Sequence, residues 1–112
     1  MGYSRHHAII VTGWSDDGKS IEAAHAKAKE IFGDAVTEVL PNAVNSYRTF
    51  FIGPDGSKEW WPESEAGDKR REEFKTWIAE NYKLWLEAAE VQYHDEENCL
   101  WVKGIPEIKS NE

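Results

Sequence analysis

The segment Gly13–Ser20 reads G-W-S-D-D-G-K-S and matches the phosphate-binding pattern G-x-x-x-x-G-K-[ST]. In such a loop, backbone N–H groups and the Lys19 ammonium would hold phosphate, and the Ser20 hydroxyl would hold magnesium. Asp16 and Asp17 place two negative charges where the anion would bind. We therefore interpret the segment as a charged loop followed by a helix N-cap at Ser20. The phosphate-binding alternative would use Gly13, Gly18, Lys19 and Ser20.

The histidine and cysteine side chains form no compact metal-ligand or nucleophile pattern. His6 and His7 are adjacent, so in an extended strand they point to opposite faces and cannot hold one ion together. His25 falls on the inner face of a predicted helix, where we expect a half-buried residue bonded to a neighbour. The run His94–Glu97 is typical of a solvated acidic turn, and Cys99 lacks the neighbours of a reactive thiol. We expect no catalytic residue, metal or cofactor, and lean toward a protein that is not an enzyme.

The remaining candidate chemistry lies in aromatic and basic side chains around the segment Val44–Pro62. An aromatic run ends there at the turn Gly53–Gly56, and a tryptophan pair follows the turn. Aromatic rings beside guanidinium groups can stack a ring-bearing ligand, and Trp, Tyr and Arg dominate protein-interface hot spots. We expect some of these side chains to close the core. The others are expected to form a projecting edge that binds a partner, which we call the lip. The predicted ligand- or partner-binding residues are Tyr47, Arg48, Lys58, Trp60, Trp61, Arg70 and Arg71.

Length and charge restrict the class of protein. A chain of 112 residues predicts one domain, which we place at residues 1–104, with a flexible tail at 105–112. The formal net charge of −8 repels phosphate backbones and argues against non-specific nucleic-acid binding. The single cysteine and the lack of a long apolar run predict a cytoplasmic protein without a membrane span.

The periodicity of apolar residues predicts the elements that position these side chains. Strands are predicted at His7–Thr12, Ala35–Leu40, Val44–Ile52, Ala89–His94 and, as a short fifth strand, Cys99–Val102. We expect the aromatic strand Val44–Ile52 to be the central strand of the domain. The continuous apolarity of His7–Thr12 indicates a strand that is covered on both faces or placed centrally. Helices are predicted from Ile21 to a cap at Gly33 and from Asp68 to Tyr82. In the second helix, Phe74, Trp77 and Ile78 are expected to face inward. Its solvent-facing side is expected to carry Arg70, Arg71, Glu72, Glu73 and Lys75.

The order of the main elements predicts the fold. Strand, helix, strand, strand, helix, strand is typical of an α+β, ferredoxin-like βαββαβ sandwich, with both helices on one face of an antiparallel sheet. The other face must then be covered by loops, by Trp60 and Trp61, or by a second copy of the chain. Six tryptophans in 112 residues favour such extra burial, so we expect a homodimer.

Four segments resemble those of small proteins encoded by bacteriophages and actinobacterial prophages: H-H-A-I-I-V-T-G-W, A-H-A-K-A-K-E-I-F-G, V-N-S-Y-R-T-F-F-I-G-P-D-G-S-K-E-W and E-V-Q-Y-H-D-E. The resemblance covers most of the chain and carries no catalytic residue. It implies a mobile-element accessory protein and, by analogy, one that inhibits a host or defence protein.

Three functions follow as hypotheses. The favoured one is a small acidic binding protein that docks on a host or defence protein through the lip. The first alternative is a binder of a nucleotide or other small anion at Lys19, Arg48 and Lys58. The second alternative is a minor phosphoester hydrolase that uses His7 or His94.

Overall fold

A five-stranded antiparallel sheet forms one layer of the molecule. The computed structural model describes residues 5–14, 19–41, 46–54, 61–81, 86–94 and 100–105. The strands are β1 (Arg5–Trp14), β2 (Leu40–Pro41), β3 (Tyr47–Ile52), β4 (Leu86–His94) and β5 (Leu100–Ile105). Their order across the sheet is β2-β3-β1-β4-β5. The apolar run predicted at His7–Thr12 is therefore the central strand. The aromatic segment Val44–Ile52, which we expected to be central, lies between β2 and β1, so that prediction is wrong.

Two helices, α1 (Lys19–Phe32) and α2 (Pro62–Glu80), cover one face of this sheet. Gly33 follows α1 with φ of 63°, which confirms the predicted C-terminal cap, because glycine adopts this conformation without steric cost. Ser20 is the second residue of α1 rather than its N-cap, so that detail of the prediction is wrong. The buried apolar core between helices and sheet consists of Ile9, Val11, Ile21, Ala24, Ala28, Val36, Phe50, Ile52, Phe74, Ile78, Leu86 and Ile105.

The α+β class and the antiparallel sheet are confirmed, but the strand order differs from that of a four-stranded sandwich because β5 pairs outside β4. The predicted strand Ala35–Leu40 is mostly irregular. A single turn of 3-10 helix occupies Gly33–Ala35, and β2 has only two residues, which pair with β3 as the predicted hairpin. Between this turn and β2 the chain runs beside β3 and is held there by isolated hydrogen bonds. One of them is donated by the Phe51 N–H to Thr37 Oγ1 at 3.0 Å.

Helix α2 begins at Pro62, six residues before the predicted start, because a proline is well suited to the first helical position. Phe74 and Ile78 face inward as predicted and are 0% exposed, while Trp77 is half-buried. Arg71 was predicted on the solvent-facing side of the helix but is buried, with 8% of its surface exposed. Neither helix of the described chain is long and apolar enough to cross a membrane.

The pairing register of β1 decides which side chains of its neighbours enter the core. Ile9 is opposite Ile52 of β3 and Glu90 of β4, and directly opposed residues share one face of a sheet. Ile9 is buried under the helices, so Glu90 is buried with it and is 2% exposed. The alternation of Ala89, Val91 and Tyr93 with polar residues correctly predicted a strand, but its apolar side faces away from the helices.

The last strand ends one residue beyond the domain limit predicted at residue 104. Ile105 belongs to β5 and is 5% exposed, so it is part of the folded core. Residues 106–112, which make up the rest of the predicted tail, lie outside the described residues. Cys99 lies outside them as well.

Gly13 lies where β1 passes beneath the start of α1. A Cβ atom at this position would be 3.1 Å from Ile21 Cβ and 3.2 Å from Leu86 Cδ2, closer than ordinary van der Waals contact. The Cβ of Ile21 is held by the helix backbone and cannot move far. Close packing therefore accounts for this glycine without a bound phosphate.

We predict that Gly13→Ala lowers the free energy of unfolding by about 1–3 kcal/mol through overpacking. The matched control is Gly104→Ala in β5, where nothing lies within 4 Å of the added Cβ. That variant is expected to be neutral or slightly stabilising, because alanine restricts the unfolded chain. Urea denaturation of both variants tests the difference, and equal stabilities would contradict the packing role of Gly13.

Candidate functional site

The sheet face opposite the helices is exposed and largely apolar; we call it the open face. No described element packs on it. Several large side chains stand on it in partial contact with solvent: Trp14 is 44% exposed, Leu40 47%, Phe51 37%, Tyr93 39% and Val102 63%. The strand registers add Ala8, Ile10, Thr12, Thr49, Ala89 and Val91 to this face.

The open face has few charges although the protein has many. Among its described residues, Glu87 is the one carboxylate, and there is no lysine or arginine. Thr12 Oγ1 and Thr49 Oγ1 are hydrogen-bonded to each other at 2.9 Å, and the rings of His6 and Tyr93 pack with their centroids 4.9 Å apart. A surface rich in aromatic residues and depleted of charge is typical of the centre of a protein interface.

The covered side of the sheet holds a buried carboxylate surrounded by cationic groups; we call it the Glu90 cluster. The Glu90 side chain is 3% exposed. His7 Nδ1 donates to Glu90 Oε2 at 3.0 Å, and Lys75 Nζ donates to Glu90 Oε1 at 2.9 Å. Arg71 Nε lies 3.9 Å from Oε2, and the Arg71 guanidinium also contacts Asp68. Each carboxylate oxygen of Glu90 therefore has a donor.

Hydrogen bonds control the ionisation of this cluster. Burial alone would raise the pKa of Glu90, but hydrogen bonds from His7 and Lys75 lower it from 4.5 to about 2. Burial alone would lower the pKa of Lys75, but its hydrogen bonds to Glu90 and Glu72 raise it above 10.5. Both groups are consequently charged at neutral pH, and the ion pair is present in the folded protein.

A cavity of about 350 Å³ lies beside the cluster, between the sheet and the two helices. His7, Arg70 and Arg71 line one part of it, and apolar residues such as Ile9 and Ile52 line another. Arg71 is committed to Asp68 and Glu90, however, and Glu30 adds a carboxylate to the wall. The positive and negative groups nearly balance, which disfavours a polyanionic ligand here.

The structure separates the residues of the predicted lip. Tyr47 and Arg48 are adjacent in β3 and point to opposite sides of the sheet, Tyr47 to the open face and Arg48 to the helix side. Trp61 lies just before α2 and is 47% exposed. Arg70 and Arg71 belong to α2 and line the cavity beside the Glu90 cluster. Lys58 and Trp60 lie outside the described residues.

The loop that resembles a phosphate site is described only at its ends. Gly13 is buried in β1, Lys19 is exposed at the start of α1, and Ser20 is 2% exposed. Gly18 lies outside the described residues. A buried Ser20 hydroxyl is poorly placed to hold a solvated magnesium ion.

The histidines occupy three separate environments. His6 and His7 point to opposite faces as predicted, His6 to the open face and His7 to the Glu90 cluster. His25 is half-buried and donates from Nε2 to the Thr37 carbonyl oxygen at 2.8 Å, which confirms its predicted structural role. The described part of the chain holds no group of three or more His, Cys, Asp or Glu residues suited to a metal ion.

We predict that Glu90→Gln destabilises the protein at pH 7 by about 2 kcal/mol, because Lys75 and Arg71 lose their buried carboxylate partner and keep only the exposed Glu72 and Asp68. The depressed pKa of Glu90 also predicts the pH dependence. Its contribution is fully present above pH 4.5 and is lost as the pH falls toward 2.

Urea denaturation of the parent and Glu90→Gln between pH 2 and pH 7 measures this difference directly. The gap in unfolding free energy should be widest at neutral pH and should narrow below pH 4.5. Glu87→Gln, an exposed change on the same strand, is the control and should leave stability nearly unchanged. A gap that stays constant with pH would show that Glu90 is not the ionised partner.

The geometry thus presents two candidate functional surfaces, the apolar open face and the charged cavity beside Glu90. The first has the composition of an interface, and the second has its charges already paired within the protein. No protein-family model, curated protein or solved structure matches this chain.

Proposed function

We propose that this chain is a non-enzymatic binding protein that uses the open face as its docking surface, and that a second copy of the chain covers this face. The observation that supports this proposal is the row of large hydrophobic side chains on a sheet face with few charges. These side chains are 37–63% exposed. Contiguous apolar patches of this kind on a folded domain are typical of interaction surfaces.

The chemistry of the face favours a partner that is itself apolar. A charged partner would find only Glu87 to pair with among the described residues of the face. A second copy brings the same apolar surface, and a two-fold axis pairs such a patch with itself. The charged side chains of the two helices then stay outside the contact.

The area of the face is sufficient for such a pair. The strands contain 10, 2, 6, 9 and 6 residues. With about 4.8 Å between strands and about 3.4 Å per residue, the sheet covers roughly 500 Å² in projection. Two copies packed face to face would bury roughly 1,000 Å² or more, which reaches the range of specific interfaces.

We also propose that the fold is a ferredoxin-like sandwich with one strand added. In support, the order without β5 is β2-β3-β1-β4, every pair is antiparallel, and both helices pack on one face. The fifth strand lengthens the sheet beyond β4 and enlarges the open face.

The predicted setting, a cytoplasmic mobile-element accessory protein that inhibits a host or defence protein, stays a prediction supported by the sequence resemblance. The two alternatives stay predictions as well. For the anion binder, Lys19 and Arg48 are exposed. For the hydrolase, His7 is held by a carboxylate, an arrangement that can orient a general base.

The dimer is tested by sedimentation velocity at high micromolar concentration. The parent should sediment as a species of about twice 12.9 kDa. Phe51→Lys and Val102→Lys place a charge on the open face and should give folded monomers with the parent's circular dichroism spectrum, since both positions are exposed in the single chain. Their melting temperatures should be modestly lower than the parent's, because the stabilisation by pairing is lost.

The matched control is Ala23→Lys, an exposed change on α1 away from the sheet, which should remain dimeric. A monomeric parent would overturn the pairing of two copies. A dimer that survives both lysine substitutions on the open face would place the interface elsewhere.

A further inference from the structure

A cleft of about 420 Å³ lies at the end of the sheet where Trp14, Tyr47 and Glu87 stand on the open face. Among the described residues these three line it together with Leu86, which lies opposite Gly13 on the helix side. Trp14 is the last residue of β1, and Tyr47 is the first residue of β3. The two are register partners in an antiparallel pair, so their side chains leave the sheet side by side. The cleft therefore has two neighbouring aromatic walls.

The carboxylate of Glu87 completes this arrangement from the strand on the other side of β1. Glu87 is exposed and is opposite Thr12, two residues before Trp14, which makes it a diagonal neighbour of the tryptophan. Trp14 is 44% exposed, so much of its surface remains accessible. Leu86 is almost fully buried and adds an apolar contribution.

These groups share one electrostatic preference. The faces of the indole and phenol rings carry negative potential and attract cations, and tryptophan is the strongest of the side chains in this respect. Glu87 adds a negative charge, and the net charge of −8 attracts cations from a distance. An anion would be repelled by the same three features.

We infer that this cleft binds a small organic cation, specifically an alkylated ammonium group. Such a group is bulky and weakly hydrated, so it can fill a cleft with apolar walls while its charge faces the rings and the carboxylate. The site goes beyond the proposed pairing of two copies, because it is formed by side chains of a single chain.

Choline is a suitable probe, and 3,3-dimethyl-1-butanol is its neutral counterpart of nearly equal shape. Isothermal calorimetry and tryptophan fluorescence should show saturable choline binding in the millimolar range. Choline should bind about tenfold or more tighter than the neutral alcohol, since the alcohol lacks the charge that the rings and Glu87 recognise.

Variants separate the contributions of ring and carboxylate. Trp14→Leu should weaken choline binding about tenfold, whereas Trp14→Phe should retain most of it, because the aromatic face is kept. Glu87→Gln should weaken binding several-fold and reduce its dependence on salt. Glu22→Gln, an exposed acidic residue on α1, is the matched control and should bind choline like the parent.

Pairing of two copies through the open face could restrict entry of choline to the cleft. The same titrations are therefore repeated with Val102→Lys, the variant expected to be monomeric. Saturable choline binding in either form, with the expected ranking of variants, supports the site whether or not the chain dimerises. Absence of saturable binding in both forms overturns it. Equal binding of choline and the neutral alcohol, or unchanged binding in Trp14→Leu, overturns it as well.

Discussion

The carboxylate of Glu90 is the constraint on which the arrangement of helix and sheet depends. A charged group without solvent is tolerated only when its oxygens are bonded, and here His7 and Lys75 bond one oxygen each. His7 comes from β1 and Lys75 from α2, so a single side chain of β4 connects three elements. Arg71 lies one helical turn before Lys75, and its approach to Glu90 orients α2 over the sheet.

This buried charge and the exposed apolar face are two consequences of the same strand alternation. Adjacent residues of a strand point to opposite sides, so placing Glu90 under α2 places Ala89 and Val91 on the open face. A one-residue shift of β4 would exchange them, burying apolar side chains and exposing the carboxylate. The hydrogen-bond donor His7 and the cations Arg71 and Lys75 favour the observed register.

The open face concentrates both proposed activities on one surface. Its central part is apolar and broad enough for a second sheet, while its end at Trp14 and Tyr47 combines aromatic rings with Glu87. Among the residues that the structure describes, most of the charged side chains belong to the two helices and lie away from this face. Such separation of charge from apolar surface lets a strongly acidic chain associate with a copy of itself without opposing like charges at the contact.

Residue types and periodicity alone determined the α+β class, the β2–β3 hairpin and both helices, because these depend on local patterns of apolar residues and on caps such as Gly33. They did not determine which strand is central, since the aromatic strand was expected there and β1 occupies that place. They also determined that His6 and His7 point apart. Pairing register could not be derived in this way, because alternation shows that two sides differ but does not say which one faces the core. Only the tertiary structure decided that Glu90 is buried, that Arg71 leaves the solvent-facing side of α2, and that Tyr47 and Trp14 are register partners on the open face. These depend on which residue of β1 lies opposite which residue of its neighbours, and the same register separates Tyr47 from Arg48.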